Sequence, residues 1–169
     1  IPTDGLVAWY PFNGNANDES GNGNSGTVNG ATLTTDKDGN ENSAYIFDGV
    51  DDYIDLGDYI FNSPSQFSIS LWVKLNELQK FSYIFSQATN GEIQVSTNDG
   101  TVGSWNKLTN GGSVSIFSSV TDTETWHHLA VVFDEDQNKL KLIIDGQSYE
   151  KSFTSQLASY SGNALIGRQ

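Results

Sequence analysis

Apolar residues recur at every second position over short runs of this chain, and clusters of Gly, Asn, Asp and Ser separate the runs. Such alternation marks half-buried strands, and the three-and-four spacing of an amphipathic helix is almost absent. The clearest run places Phe67, Ile69, Leu71, Val73 and Leu75 on one face and Ser68, Ser70, Trp72 and Lys74 on the other. The first face is core, so Trp72 looks away from it, toward a second layer or a ligand. Further strands are predicted over Leu6 to Phe12, Ala44 to Phe47, Tyr53 to Leu56, Tyr83 to Gln87, Glu92 to Thr97, Ser113 to Phe117, Trp126 to Phe133, Lys139 to Ile144 and Ala164 to Gly167. Asp134 to Asn138 joins two long alternating runs, which predicts a hairpin from Trp126 to Ile144. The stretch from Thr97 to Gly112 is rich in Gly, Asn, Thr and Ser around a lone Trp105, which predicts a long exposed loop or a weak edge strand. Neither an internal repeat nor a linker divides the chain, so residues 1–169 are expected to form a single all-β sandwich domain.

Charge changes the picture more than length does. The chain has 21 acidic and 8 basic residues, a net charge of −13, which opposes attraction to nucleic acid or to an anionic membrane. No apolar stretch approaches the roughly 20 residues of a membrane span. The absence of cysteine excludes thiol catalysis, thiolate zinc sites and a disulfide framework without fixing the compartment. A chain that starts Ile-Pro-Thr and contains no Met is expected to be a mature or excised piece.

The acidic excess is concentrated at the start. Between Ile1 and Asn62 there are 11 carboxylates and one base, Lys37, so ion pairing cannot neutralise them. The Gly- and Asn-rich stretch from Asn13 to Gly30 folds back easily and can aim carbonyls and the Asp18 carboxylate at one point, a geometry that suits a hard, oxygen-seeking cation. Calcium is the expected ion. Asp18 is its predicted carboxylate ligand, Asn13, Ser20 or Asn22 supply further oxygens, and Asp48 closes from a second acidic loop. Asp36 to Asn40 superficially resembles a calcium loop but lacks the Gly and Glu that the EF-hand pattern requires at its sixth and twelfth positions, and it is read as a turn. The two histidines, His127 and His128, are adjacent in a predicted strand and so point to opposite faces, which suits packing better than a joint imidazole site. Aromatic rings can stack on sugars while neighbouring Asn, Asp and Gln bind hydroxyls. Most rings here fill the core. The candidate ligand-binding residues are Trp72, Trp105 and Tyr83, with Phe85 and Trp126 also considered.

Six segments together carry a family resemblance: Leu6 to Phe12, Asp18 to Asn24 with Gly26, Ala44 to Ile54, Phe67 to Val73, Trp126 to Asp134 and Leu142 to Gly146. In this order they resemble the bacterial laminin-G-like (LamG) domains of the concanavalin A-like lectin/glucanase superfamily. The resemblance implies a two-sheet antiparallel jelly roll, commonly bearing calcium, in secreted or surface proteins alongside glycosidases, lyases, proteases or adhesins. Such domains usually carry a further strand after the segment matching Ile166, Gly167 and Arg168. The sequence stops at Gln169, so the resemblance also implies an unpaired edge. Glucanases of the superfamily set paired carboxylates on one strand as Glu-x-Asp-x-x-Glu. No such segment occurs here, nor does a Gly-x-Ser-x-Gly elbow or a His-Glu-x-x-His motif. The function expected is therefore a non-catalytic carbohydrate-binding module, secreted or at the cell surface, with a protein-adhesion domain and a glycosidase-like enzyme as alternatives.

Overall fold

Period-two alternation becomes sheet in all but one of the described runs, and the computed structural model describes residues 3–58, 60, 64–77, 81–87, 93–120, 122–159 and 162–168, among which there is no helix. The strands in chain order are β1 (Thr27–Asn29), β2 (Thr32–Thr34), β3 (Ala44–Ile46), β4 (Tyr53–Asp58), β5 (Gln66–Val73), β6 (Ser82–Gln87) and β7 (Ile93–Asn98). They continue with β8 (Thr101–Lys107), β9 (Ser113–Ser119), β10 (His127–Asp134), β11 (Lys139–Ile144), β12 (Gln147–Ser152) and β13 (Asn163–Arg168). A seven-stranded antiparallel sheet in the order β1-β4-β13-β6-β7-β8-β9 packs on a four-stranded sheet, β12-β11-β10-β5, and β2 and β3 form a small separate pair.

One core lies between the two large sheets. Ile54, Leu56, Ala164, Ile93, Val95, Val102, Val114 and Ile116 face it from the seven-stranded sheet, and Leu129, Val131, Phe133, Leu140 and Leu142 from the four-stranded one. Phe133 is fully buried and stacks on Phe67 at 5.4 Å and on Phe153 at 4.6 Å between ring centroids. The predicted hairpin forms in register from Leu129 opposite Ile144 to Asp134 opposite Lys139. Phe67 is buried, and Ile69, Leu71 and Val73 pack against the core from β5, while Trp72 lies on the other face, 49% exposed.

Two expectations are corrected. Leu6–Phe12 forms no strand, because its backbone is held by side chains instead of by a ladder. Asp18 accepts from the Trp9 N–H, and the Leu6 and Val7 carbonyls accept from the amides of Asn22 and Asn24. The stretch expected as a loop or weak edge around Trp105 is instead β8, an internal strand paired on both sides with β7 and β9. Its small residues permit close packing. A Cβ on Gly103 would collide with the Ile116 carbonyl and the Phe117 ring. Sequence reasoning also missed β12, a fully exposed strand with no apolar alternation to announce it. Asp36 to Asn40 is a turn as read, organised by Asp36 Oδ1 accepting from the N–H groups of Asp38 and Asn40. The predicted strand start at Glu92 lies outside the described residues.

Candidate binding face and acidic loops

Backbone register assembles the candidate face from strands far apart in sequence. One row crosses all seven strands of the larger sheet on the side away from the core: Thr27 opposite Asp55, then Leu165, Ser86, Gln94, Trp105 and Ser115. Six steps of ~4.8 Å make this row about 29 Å long. Beside it runs a second row, Arg168, Tyr83, Ser96, Gly103 and Phe117. A register shift between Tyr83 and Phe85 sets Tyr83 opposite Ser96 while Phe85 stays with core-facing Val95, so one bulge turns Tyr83 outward.

Two of the three predicted aromatic contacts, Trp105 and Tyr83, thus share a face. Between them sit two polar residues that sequence reasoning missed. Gln94 is 8% exposed and Ser96 fully buried, and among the described residues Gln94 Oε1 and Ser96 Oγ have no hydrogen-bond partner, as is also true of Asn106 Oδ1 on the core side of the sheet. An unmatched buried polar atom costs about 1–3 kcal/mol, which a ligand hydroxyl would offset. The signal was in the alternation, where polar Gln94 and Ser96 interleave with Ile93 and Val95 in a strand buried on both faces.

At the other end of the face Tyr53, Asp55, Asn163, Leu165 and Arg168 line a cleft of about 310 Å3. Asn163 Nδ2 donates to both Asp55 oxygens, at 2.9 and 2.8 Å. Gly167 has φ of +78°, and the Phe47 ring fills the space a Cβ would take. Only glycine fits there, and the next residue is Arg168.

Trp72 belongs to the opposite side of the molecule. Its ring lies 5.2 Å from that of His128, and Lys37 Nζ sits 4.8 Å from its centroid. His128 Nε2 is 2.9 Å from Ser70 Oγ, whereas His127 Nδ1 is 2.7 Å from Asp145 Oδ2 with Asp122 at 3.5 Å, so the two imidazoles serve separate networks. The hydrogen bond to Asp145 raises the His127 pKa against the opposing effect of burial. Phe85 is buried core, and the half-buried Trp126 ring has Lys74 5.9 Å from its centroid.

The expected calcium ligands fall into two groups. Asp18 Oδ1 accepts from the N–H groups of Trp9 and Ser20, and Oδ2 from Ser20 Oγ and the Asn24 N–H, at 2.8–3.0 Å. Burial opposes ionisation of Asp18, but these donors together outweigh it and hold its pKa at about 2. All four lone-pair directions of the carboxylate are engaged. Ser20 and Asn22 join this network, Asn22 Nδ2 reaching Ser20 Oγ at 3.1 Å, while Asn13 Nδ2 donates to Glu19 at 2.8 Å. Asp48 instead stands with Asp51 and Asp52, each offering a carboxylate oxygen within 4.8 Å of the others'. The Val50 N–H helps hold the Asp48 pKa below the usual carboxylate range. Two exposed carboxylates and the half-buried Asp52 form a donor set that fits a hard divalent cation, and Asp18 is not part of it.

A family model described as the concanavalin A-like lectin/glucanases superfamily matches residues 48–169. No curated protein matches the chain. Among solved structures, the receptor-binding domain of a botulinum neurotoxin C/D mosaic serotype aligns with a TM-score of 0.72 at 15% identity, over 99% of this chain and 44% of that one. The binding domain of Paraclostridial Mosquitocidal Protein 1 aligns at 0.63 and 19% identity, over 90% and 45%. Domains LG4-5 of the mouse laminin alpha1 chain align at 0.52 and 14%, over 63% and 28%. The chain spans less than half the length of each, and at these identities the likeness is one of fold.

Proposed function

This chain belongs to the concanavalin A-like lectin/glucanases superfamily, and on that premise we propose that it is a non-catalytic carbohydrate-binding module of a secreted or surface protein, reading a glycan on the outer face of its seven-stranded sheet. One observation carries the reading: Gln94 and Ser96, buried with unmatched oxygens, stand between Tyr83 and Trp105 on a single face. Aromatic rings offer stacking surfaces to sugar C–H faces, and the amide and hydroxyl offer an acceptor and a donor to sugar hydroxyls. Among the described residues of the two rows, Asp55 is the one carboxylate, so a paired acid and nucleophile of glycosidase type has no members there.

Calcium is part of the proposal. Asp48, Asp51 and Asp52 are the residues suited to hold it, and a bound divalent ion would supply positive charge that relieves their mutual repulsion and stiffens the turn before β4. Asp18 shapes the neighbouring loop through its own hydrogen bonds. Added calcium is expected to raise Tm, D48N to abolish that rise and D18N to retain it; a melt indifferent to both calcium and EDTA refutes the ion. The glycan reading is tested by affinity electrophoresis through gels of different polysaccharides. Retardation that W105A removes supports it. No retardation in any gel, with capture of a protein receptor instead, replaces it by the adhesion reading.

A further inference from the structure

The cleft at the β4–β13 end lies on the same face as Trp105, three strands and about 14 Å away across β6 and β7. That distance exceeds one pyranose ring, so a ligand touching both places is an oligosaccharide. The cleft differs in chemistry from the rest of the face. Arg168 is the sole arginine of a chain with seven lysines. Among the described residues it has no ion-pair partner, as is also true of Lys74 and Lys151, whereas Lys37, Lys139 and Lys141 each have one. Its guanidinium is a planar fork of N–H donors matched to carboxylate or sulfate oxygens. Asp55 does not occupy that fork, because Asn163 holds both its oxygens and the Gly57 N–H donates to Oδ1 at 2.9 Å. The cleft therefore presents an acceptor at Asp55, a free cation at Arg168 and the Tyr53 ring as a wall.

From this arrangement we infer that the Tyr53–Asp55–Asn163–Arg168 cleft is a subsite for an acidic sugar residue, whose anionic group meets Arg168 while its hydroxyls donate to Asp55. The inference rests on the glycan reading and narrows it. The net charge of −13 repels a polyanion as a whole. The ligand that satisfies both facts is a mostly neutral chain with an isolated acidic unit.

The test is an array of matched oligosaccharides, each printed neutral, with one carboxylate and with one sulfate, probed with the wild type, R168Q and R168K. The wild type is expected to favour an anionic member by about tenfold, the size of one good charge-assisted contact. R168Q should lose that preference while still binding the neutral members, and R168K should keep part of it. Preference for the sulfated member with the same R168Q loss also supports the subsite and identifies sulfate as the anion. Equal wild-type binding to neutral and anionic members overturns the acidic subsite alone, as does a preference that survives in R168Q with an unchanged melt. Binding to none of the three sets overturns the glycan reading with it.

Discussion

The two large sheets share one core, to which the larger also contributes polar Gln87, Ser104 and Asn106, and they differ most on the sides that face away from it. On the outer side of the four-stranded sheet the polar groups satisfy one another. Lys139 and Lys141 meet Glu150 at 3.3 and 3.1 Å, Ser70 meets His128, and Lys37 and His128 lie against the Trp72 ring. On the outer side of the seven-stranded sheet, Gln94 Oε1 and Ser96 Oγ lack partners and Arg168 lacks a counter-ion among the described residues. Exposure alone selects the other face, since Trp72 is 49% exposed and Trp105 only partly so. Unspent bonding capacity selects the larger sheet instead, and it is what a ligand can use.

The largest expected effect removes the contrast altogether. Phe133→Ala cuts the stacked Phe67–Phe133–Phe153 column that runs along the core face of the four-stranded sheet and should cost about 3–5 kcal/mol in urea unfolding; a loss below 1 kcal/mol would mean that the column does not hold that layer of the core together. A smaller but more pointed effect separates the faces. Trp105→Ala should weaken glycan binding at least tenfold with little change in Tm, and Trp72→Ala should leave glycan binding intact. The reverse result would exchange the roles of the two sheets.

Acid should act on the loops before it acts on either sheet. An unfolded Asp has a pKa near 3.9, and Asp18 in the folded protein has one of about 2, so its contribution is complete above about pH 4 and disappears as pH falls through 2. With solvent screening discounted, the loss is about 1–2 kcal/mol, and Asp18→Ala should be less stable than the wild type at pH 6 and nearly equal to it at pH 2. The smallest effect has the opposite sign. His127, its pKa raised by Asp145, contributes stability below about pH 6.5 that fades as pH rises through its folded value, and H127Q should flatten that slope in a pH series of melts.

How far the sequence anticipates all this depends on where the information resides. Alternation is local, so β5, β10 and β11 could be read with nearly correct bounds and the inward face of β5 named residue by residue. Trp105 was singled out for its polar surroundings, but those surroundings were taken for a loop because the residues buried around it, Gly103, Ser104 and Asn106, are small or polar. The calcium expectation joined Asp18 to Asp48 by composition, whereas the fold gives Asp18 to backbone donors and groups Asp48 with its own neighbours in the turn. The cleft was not legible at all. Its residues come from β4 and β13, which meet more than a hundred positions apart, and no local pattern records that meeting.

The place of β13 has a consequence for biosynthesis. It lies between β4 and β6 inside the larger sheet, so during translation those two strands must wait, each with a bare edge, until residues 163–168 leave the ribosome and insert between them. Pairings of such long sequence separation are slow to form. The segment that completes the hydrogen-bonded wall also delivers Arg168 to the cleft beside Asp55, so a nascent chain cannot assemble that cleft before the wall is closed.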